Sequence, residues 1–243
     1  MSRIISVLFI ILCLLSVPFL KNYTTVVKAN DDVTIWHVPG NFTKIQDAIY
    51  SPLVQDGDII FVHEGIYNET IVVNRTLSLI GENKHTTIVD GGARGNVVSI
   101  VGAINVVLER FTIRNGGSYS GILVDHSMNI EISNNIVMNN QEGIRLYVSA
   151  GCIISDNSIL NNNDGVSFSY SSDNTISNNT IQSNTFYGIN LYSSRKNLIA
   201  HNFILYNGLS GVYMLFANDN VICGNTINSN DPYANGINLY LID

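Results

Sequence analysis

From Gly121 onward the chain repeats a glycine followed by apolar residues at alternate positions. The glycines are Gly121, Gly143, Gly165, Gly188, Gly211 and Gly236, at steps of 22, 22, 23, 23 and 25 residues. Behind them come Ile122/Val124, Ile144/Leu146, Val166/Phe168, Ile189/Leu191, Val212/Met214 and Ile237/Leu239. Period-two alternation over so short a run marks a half-buried strand. A second apolar position recurs at Ile132, Ile154, Ile176, Ile199 and Ile222, and a third at Val137, Ile159, Ile181, Ile204 and Ile227. Three short strands in every repeat predict a solenoid in which corresponding residues lie atop one another. The expected fold is all-β: a single-stranded right-handed parallel β-helix.

Asparagine also keeps to columns. One holds Asn135, Asn157, Asn179, Asn202 and Asn225; another holds Asn140, Asn162, Asn184, Asn207 and Asn230; a shorter third holds Asn174, Asn197 and Asn220. A three-sided solenoid must bend at each corner. Asn tolerates the left-handed conformation and bonds nearby backbone with its side chain. Stacked in register, the amides can also bond one another from turn to turn.

The repeats before Gly121 are less regular. Strands are expected at Ile59–Val62, Ile71–Val73, around Leu77 and Leu79, at Thr87–Val89, Val97–Ile100 and Val106–Leu108. Ahead of them, Thr43-Lys44-Ile45-Gln46 matches a capping box. Ile45, Ala48 and Ile49 then share one face of a short N-terminal capping helix that would plug the core. Beyond the strand at Ile237 and Leu239 an open sheet edge invites self-association. Dense Asn and Gly, and no sustained i, i+3, i+4 apolar pattern after Gly57, exclude a helical solenoid.

Composition narrows the function classes. Charged residues make up only 13% of the chain, the net charge is −7, and 33 asparagines supply much of the polarity. With no Lys/Arg cluster, nucleic acid and anionic membrane surfaces are poor partners. Residues 1–29 read as a signal peptide or N-terminal anchor, with Arg3 before an apolar run from Ile4 to Leu20 and Val27-Lys28-Ala29 at its end. Residues 30–243 form the β-helix domain, secreted or at the cell surface. Cys152 and Cys223 fall three turns apart, too distant to bridge each other.

The segments Ile45-Gln46-Asp47-Ala48-Ile49, Gly57-Asp58-Ile59-Ile60-Phe61-Val62, Gly65-Ile66-Tyr67, Leu79-Ile80-Gly81 and Ile88-Val89-Asp90-Gly91 resemble the N-terminal part of pectin-lyase-like proteins. The later repeats resemble the NosD-type subgroup, also described as carbohydrate-binding proteins and sugar hydrolases. The resemblance covers residues 33 to 243. It implies the β-helix fold and a range of functions: polysaccharide cleavage, glycan binding, or a part in copper-enzyme maturation.

The residue before each repeat glycine forms a column: Ser120, Glu142, Asp164, Tyr187, Ser210, Asn235. Glu142 and Asp164 fall on neighbouring turns, ~4.8 Å apart by strand spacing. Carboxylates that close can split their pKa values and act as acid and base or nucleophile. Asn162-Asn163-Asp164-Gly165 resembles a catalytic element of polygalacturonases. The Asp-Asp, Gly-His-Gly and Arg-x-Lys elements of that family are replaced here, so Glu142 and Asp164 stand as catalytic candidates without the rest of the set. The outward strand positions favour ligand binding instead. Arg145, Asn190 and Tyr213 lie in one column, and Tyr147, Tyr192 and Tyr240 in the next. Tyr rings stack on pyranose faces, and amide and guanidinium groups bond hydroxyls. The expected partner is a polysaccharide or glycan. The histidines His37, His63, His85, His126 and His201 look scattered. No metal site or other cofactor is expected.

Overall fold

The computed structural model describes residues 33–228 and 235–240. The segment read as a leader and Asn230 lie outside them. The described strands pair in parallel and sort into three sheets. The first runs from Ile35–Val38 through Ile59–Val62 to Val221–Cys223, the second from Gly65–Tyr67 to Thr226–Asn228, and the third from Ile71–Val73 to Ile237–Tyr240. From Ile59 onward each turn gives one strand to each sheet, and Ile35–Val38 adds a further strand to the first. The fold is a parallel β-helix with three parallel sheets.

The register is the one the glycine spacing predicts. Ile122 pairs with Ile144, Ile144 with Val166, Val166 with Ile189, Ile189 with Val212, and Val212 with Ile237. Successive side chains of a strand point to opposite faces, so alternate residues enter the core: one column from each of the first two sheets and two from the third. Ile144, Leu146, Ile154, Ile159, Val166, Phe168, Ile176 and Ile181 are fully buried. Cys152 is a buried free thiol that burial pushes up to about 11. The repeat glycine is required by contact. A Cβ on Gly165 would sit 2.5 Å from the Gly188 carbonyl oxygen, 2.6 Å from Ile181 Cγ2 and 2.9 Å from Asn184 Nδ2.

The asparagine ladders exist, but their division of labour differs from the sequence expectation. The ladder residues from Asn135 to Asn207 point inward and are buried, while Asn220 and Asn225, toward the last turns, are half-buried. The left-handed backbone falls one residue earlier, at Asn134, Asp156, Asn178 and His201 in one corner and at Asn139, Asn161, Ser183 and Tyr206 in the next. The side-chain oxygen of Asn179 accepts the backbone N–H of Asn157 at 3.0 Å and its Nδ2 at 3.0 Å. The Asn179 amide in turn donates to the Ile154 carbonyl at 2.8 Å and to Asn202 at 3.0 Å. Thus the inward asparagine satisfies backbone groups that the corner removes from the sheets. A serine column, Ser127, Ser149, Ser171 and Ser194, does the same at the corner after the third sheet, each backbone N–H donating to the next hydroxyl at 3.0 to 3.1 Å.

At the N-terminal end a helix spans Ile45–Tyr50 and buries Ile45, Ala48 and Ile49, as expected. Its cap is not the local box. Lys44 is the N-cap and makes no side-chain capping bond. The carboxylate of Glu69 takes the role, accepting the N–H groups of Ile45 and Gln46 at 3.1 Å each. The strand Ile35–Val38, which the sequence pattern did not announce, is clasped by buried Asp58. That carboxylate accepts Thr34 N–H at 3.0 Å and Trp36 Nε1–H at 2.8 Å. At the other end the inward columns come to the surface, with Ile237 40% and Leu239 54% exposed.

Candidate functional site

The third sheet carries the residues singled out from sequence. Glu142 and Asp164 are register partners, on the strands Glu142–Tyr147 and Asp164–Ser169. Both carboxylates are engaged by the chain itself. Glu142 accepts the Ser120 hydroxyl at 2.9 Å and faces the Arg145 guanidinium at 3.2 Å. Asp164 accepts the Tyr187 N–H at 3.1 Å and the Asn190 side-chain amide at 3.2 Å. Burial pushes the Asp164 carboxyl above its usual range and the Glu142 charge adds to this, against the two hydrogen bonds. The partners of the two acids differ: a hydroxyl and a guanidinium hold Glu142, and two neutral N–H donors hold Asp164. The donors that hold them also make them ordinary parts of the sheet surface.

Next to Glu142 the surface sinks into a shallow open depression of ≈ 230 Å³, lined by Asn96, Ser120, Leu123, Asp125, Arg145 and Tyr147. It holds amide, hydroxyl, carboxylate and guanidinium groups around one apolar patch and one ring. Tyr147 also starts the well-formed part of an aromatic run along the corner after the sheet. Ring centroids are 5.8 Å apart from His126 to Tyr147, 6.1 Å from Tyr147 to Tyr170, 5.5 Å from Tyr170 to Tyr192 and 6.0 Å from Tyr192 to Phe216. The contacts are edge-to-face, the favoured geometry for aromatic pairs. Tyr170, Tyr192 and Phe216 are exposed. The Tyr192 side chain packed edge-to-face against it raises the Tyr170 pKa.

The six sequence-derived binding residues do not form one array. Tyr147 and Tyr192 join the corner run, and Arg145 lines the depression. Tyr213 instead stacks on Tyr187 at 4.6 Å and leans on Tyr240 at 5.6 Å, forming a second cluster farther along the sheet. Asn190 is partly committed to Asp164. Sequence reasoning missed Tyr170 and Phe216 because they follow the strand, at left-handed corner positions with φ of 53° and 53°. The signal was available: an aromatic residue one position past the strand on alternate turns, where its neighbours end in Tyr.

The histidines are less scattered than they looked. His37 Nδ1 and His63 Nε2 are 3.0 Å apart, with stacked rings, and His63 Nδ1 lies 3.2 Å from Glu82.

Comparison with known proteins places this geometry in context. The family model described as "Periplasmic copper-binding protein (NosD)" matches residues 49–240. A cell surface glycoprotein of Methanothermus fervidus is 41% identical over 167 residues, covering 69% of this chain and 25% of that protein. The chain thus spans about a quarter of the length of that relative. Among solved structures, the Dettilon tailspike protein superposes with a TM-score of 0.63 at 18% identity, over 75% of this chain and 40% of that one. An alginate lyase from Paenibacillus superposes with a TM-score of 0.52 at 10% identity, over 86% and 99%. At such identities the structural likenesses speak for the fold alone. The copper of the family description finds no matching donor set: among the described residues no three His, Cys, Asp or Glu side chains converge as metal ligands. The His37–His63 pair spends one nitrogen of each ring on the other, and the described methionines are dispersed, with Met138 on the second sheet, Met214 buried on the third and Met128 beyond the strand Ile122–Asp125. The described residues do not fit copper.

Proposed function

The chain belongs to the NosD family, and from that premise we propose that it is a secreted or cell-surface protein that binds glycan on its third sheet without cleaving it. The observation that carries this reading is the aromatic run from Tyr147 to Phe216 beside the polar depression around Arg145. Rings of this kind stack on the apolar faces of sugars while nearby amides and charged groups bond hydroxyls. The full bonding of Glu142 and Asp164 within the chain supports binding over catalysis. The location draws on the cell surface name of the Methanothermus relative and the periplasmic description of the family.

Co-sedimentation with a panel of insoluble polysaccharides tests the reading. Tyr147→Ala with Tyr192→Ala removes two rings and is expected to cost about 1–3 kcal/mol of binding, roughly 5- to 150-fold. Unchanged retention by the double variant rules the face out. A polysaccharide-cleaving role for Glu142 and Asp164 is the second reading, favoured by their shared register and the raised Asp164 pKa. It requires that Asp164→Asn abolish any cleavage detected; cleavage that survives the change dismisses it. Self-association through the last described turn draws on exposed Ile237 and Leu239. Light scattering that shows a strict monomer at high concentration opposes it.

A further inference from the structure

We infer that the third-sheet face selects neutral polysaccharides and turns away polyuronates, an inference that rests on the glycan-binding reading. Asp125 lines the depression, Glu142 flanks it between Ser120 and Arg145, and Asp164 follows as the register partner of Glu142. Arg145 is the one cation in the lining, and Glu142 already holds its guanidinium at 3.2 Å. Three carboxylates against one guanidinium leave the face negative, in keeping with the net charge of −7.

The neighbouring charged groups do not reverse this. His126 lies against Asp125 at 2.6 Å. Lys196 stands on the following corner, with Asp173 and Asp219 at the same left-handed position one turn to either side. Arg195, exposed, precedes it, but the same position holds Ser172 on the turn before and Asn218 on the turn after. A cationic stripe able to track an acidic polymer is therefore not assembled along Tyr147, Tyr170, Tyr192 and Phe216.

The two halves of the site then have different tasks. Stacking on the rings is indifferent to the charge of the sugar. The carboxylates are not. They accept hydrogen bonds from vicinal hydroxyls, while Arg145 and Asn96 offer donors to hydroxyl or ring oxygens. A polyuronate carries a carboxylate on every sugar, and a chain laid along the rings would bring these against Asp125 and Glu142. Like charges at such range oppose binding, and salt relieves the opposition because it screens exposed charges.

The test is affinity electrophoresis of the full chain in native gels containing polygalacturonate, alginate, a neutral galactan, a neutral mannan or chitosan. It is backed by titration calorimetry at about 0.15 M and about 1 M salt, where the screening length falls from ~8 Å to ~3 Å. The expected result is retention by a neutral polymer, at least about tenfold weaker binding of both polyuronates at the lower salt, and a narrower gap at the higher. Asp125→Asn with Glu142→Gln, checked for fold by circular dichroism, is expected to narrow the gap at low salt as well. Polyuronate binding equal to or tighter than neutral binding overturns the selectivity while leaving the glycan-binding reading in place. So does a gap that the double variant leaves unchanged, or a preference for chitosan that survives high salt. Retention of no polymer at all overturns the binding reading itself.

Discussion

Replacing Asn179 by alanine tests the ladder that holds the corners together. The Asn179 side chain accepts two hydrogen bonds from Asn157 at 3.0 Å each and donates to Ile154, Ser177 and Asn202 at 2.8, 3.0 and 3.0 Å. Truncation leaves the buried Asn157 backbone N–H with no acceptor, a loss of ~1–3 kcal/mol. The two hydrogens of the side-chain amide, shared among three carbonyl oxygens, add ~0.5–1.5 kcal/mol each, so the sum is about 2–6 kcal/mol. That is a large part of the 5–15 kcal/mol typical of a domain, roughly speaking. The control is the preceding residue. Asn178 is exposed and left-handed, with φ of 56°. Asn178→Gly keeps the backbone conformation accessible and is expected within about 1 kcal/mol of the parent. Denaturant unfolding followed by circular dichroism gives the two differences. Hydrogen exchange at the Asn157 amide reports whether the loss is local to that corner. An Asn179→Ala variant within about 1 kcal/mol of the parent would refute the reasoning. So would an Asn178→Gly variant as unstable as Asn179→Ala.

Three further outcomes follow from the same structure. Burial works against ionised Asp58, but the donors Gln55, Trp36 and Thr34 and the Arg75 charge outweigh it and hold its pKa below 3.8. Its contribution is therefore complete above pH 3.8 and lost as the pH falls through the lowered value. The fluorescence of Trp36, the only tryptophan, is expected to change in that window and to lose the transition in Asp58→Asn; an identical acid transition in the variant contradicts the assignment. Asp164 has the opposite sign: its folded pKa is raised, so its contribution is greatest below pH 3.8 and falls as the pH rises through the raised value. The difference in melting temperature, Asp164→Asn minus parent, should then grow with pH across that window, and a flat or falling difference counts against it. Gly165→Ala places a methyl 2.5 Å from the Gly188 carbonyl oxygen and should unfold or separate the adjoining turns, whereas melting within a few degrees of the parent would show that the stack can open.

The glycine and isoleucine columns of the later repeats were legible because an open-ended stack has one dominant constraint. Each turn must bring its apolar residues over those of the turn before, so a deletion or insertion is confined to the corners and the spacing stays near its mean. The adjacency of Glu142 and Asp164 followed directly from that spacing. The asparagine columns were also visible, although their role was half misread. Which of two neighbouring residues bends the chain, and which points inward, depends on backbone angles that a run such as Asn178-Asn179 does not reveal. The helix at Ile45–Tyr50 was expected from its apolar face, yet its cap comes from Glu69, and no local motif encodes a partner 24 residues away.

By itself, then, the sequence determined the repeat, the three sheets, the inward columns and the shared register of the residues on the third sheet. Only the tertiary structure decided which side chains meet across turns. It split the tyrosines into two clusters, added Tyr170 and Phe216, set Arg145 against Glu142, and brought His37 to His63. The physical reason is that burial leaves a periodic trace along the chain, whereas contacts between outward side chains depend on rotamers and corner angles, which vary from turn to turn without disturbing the core.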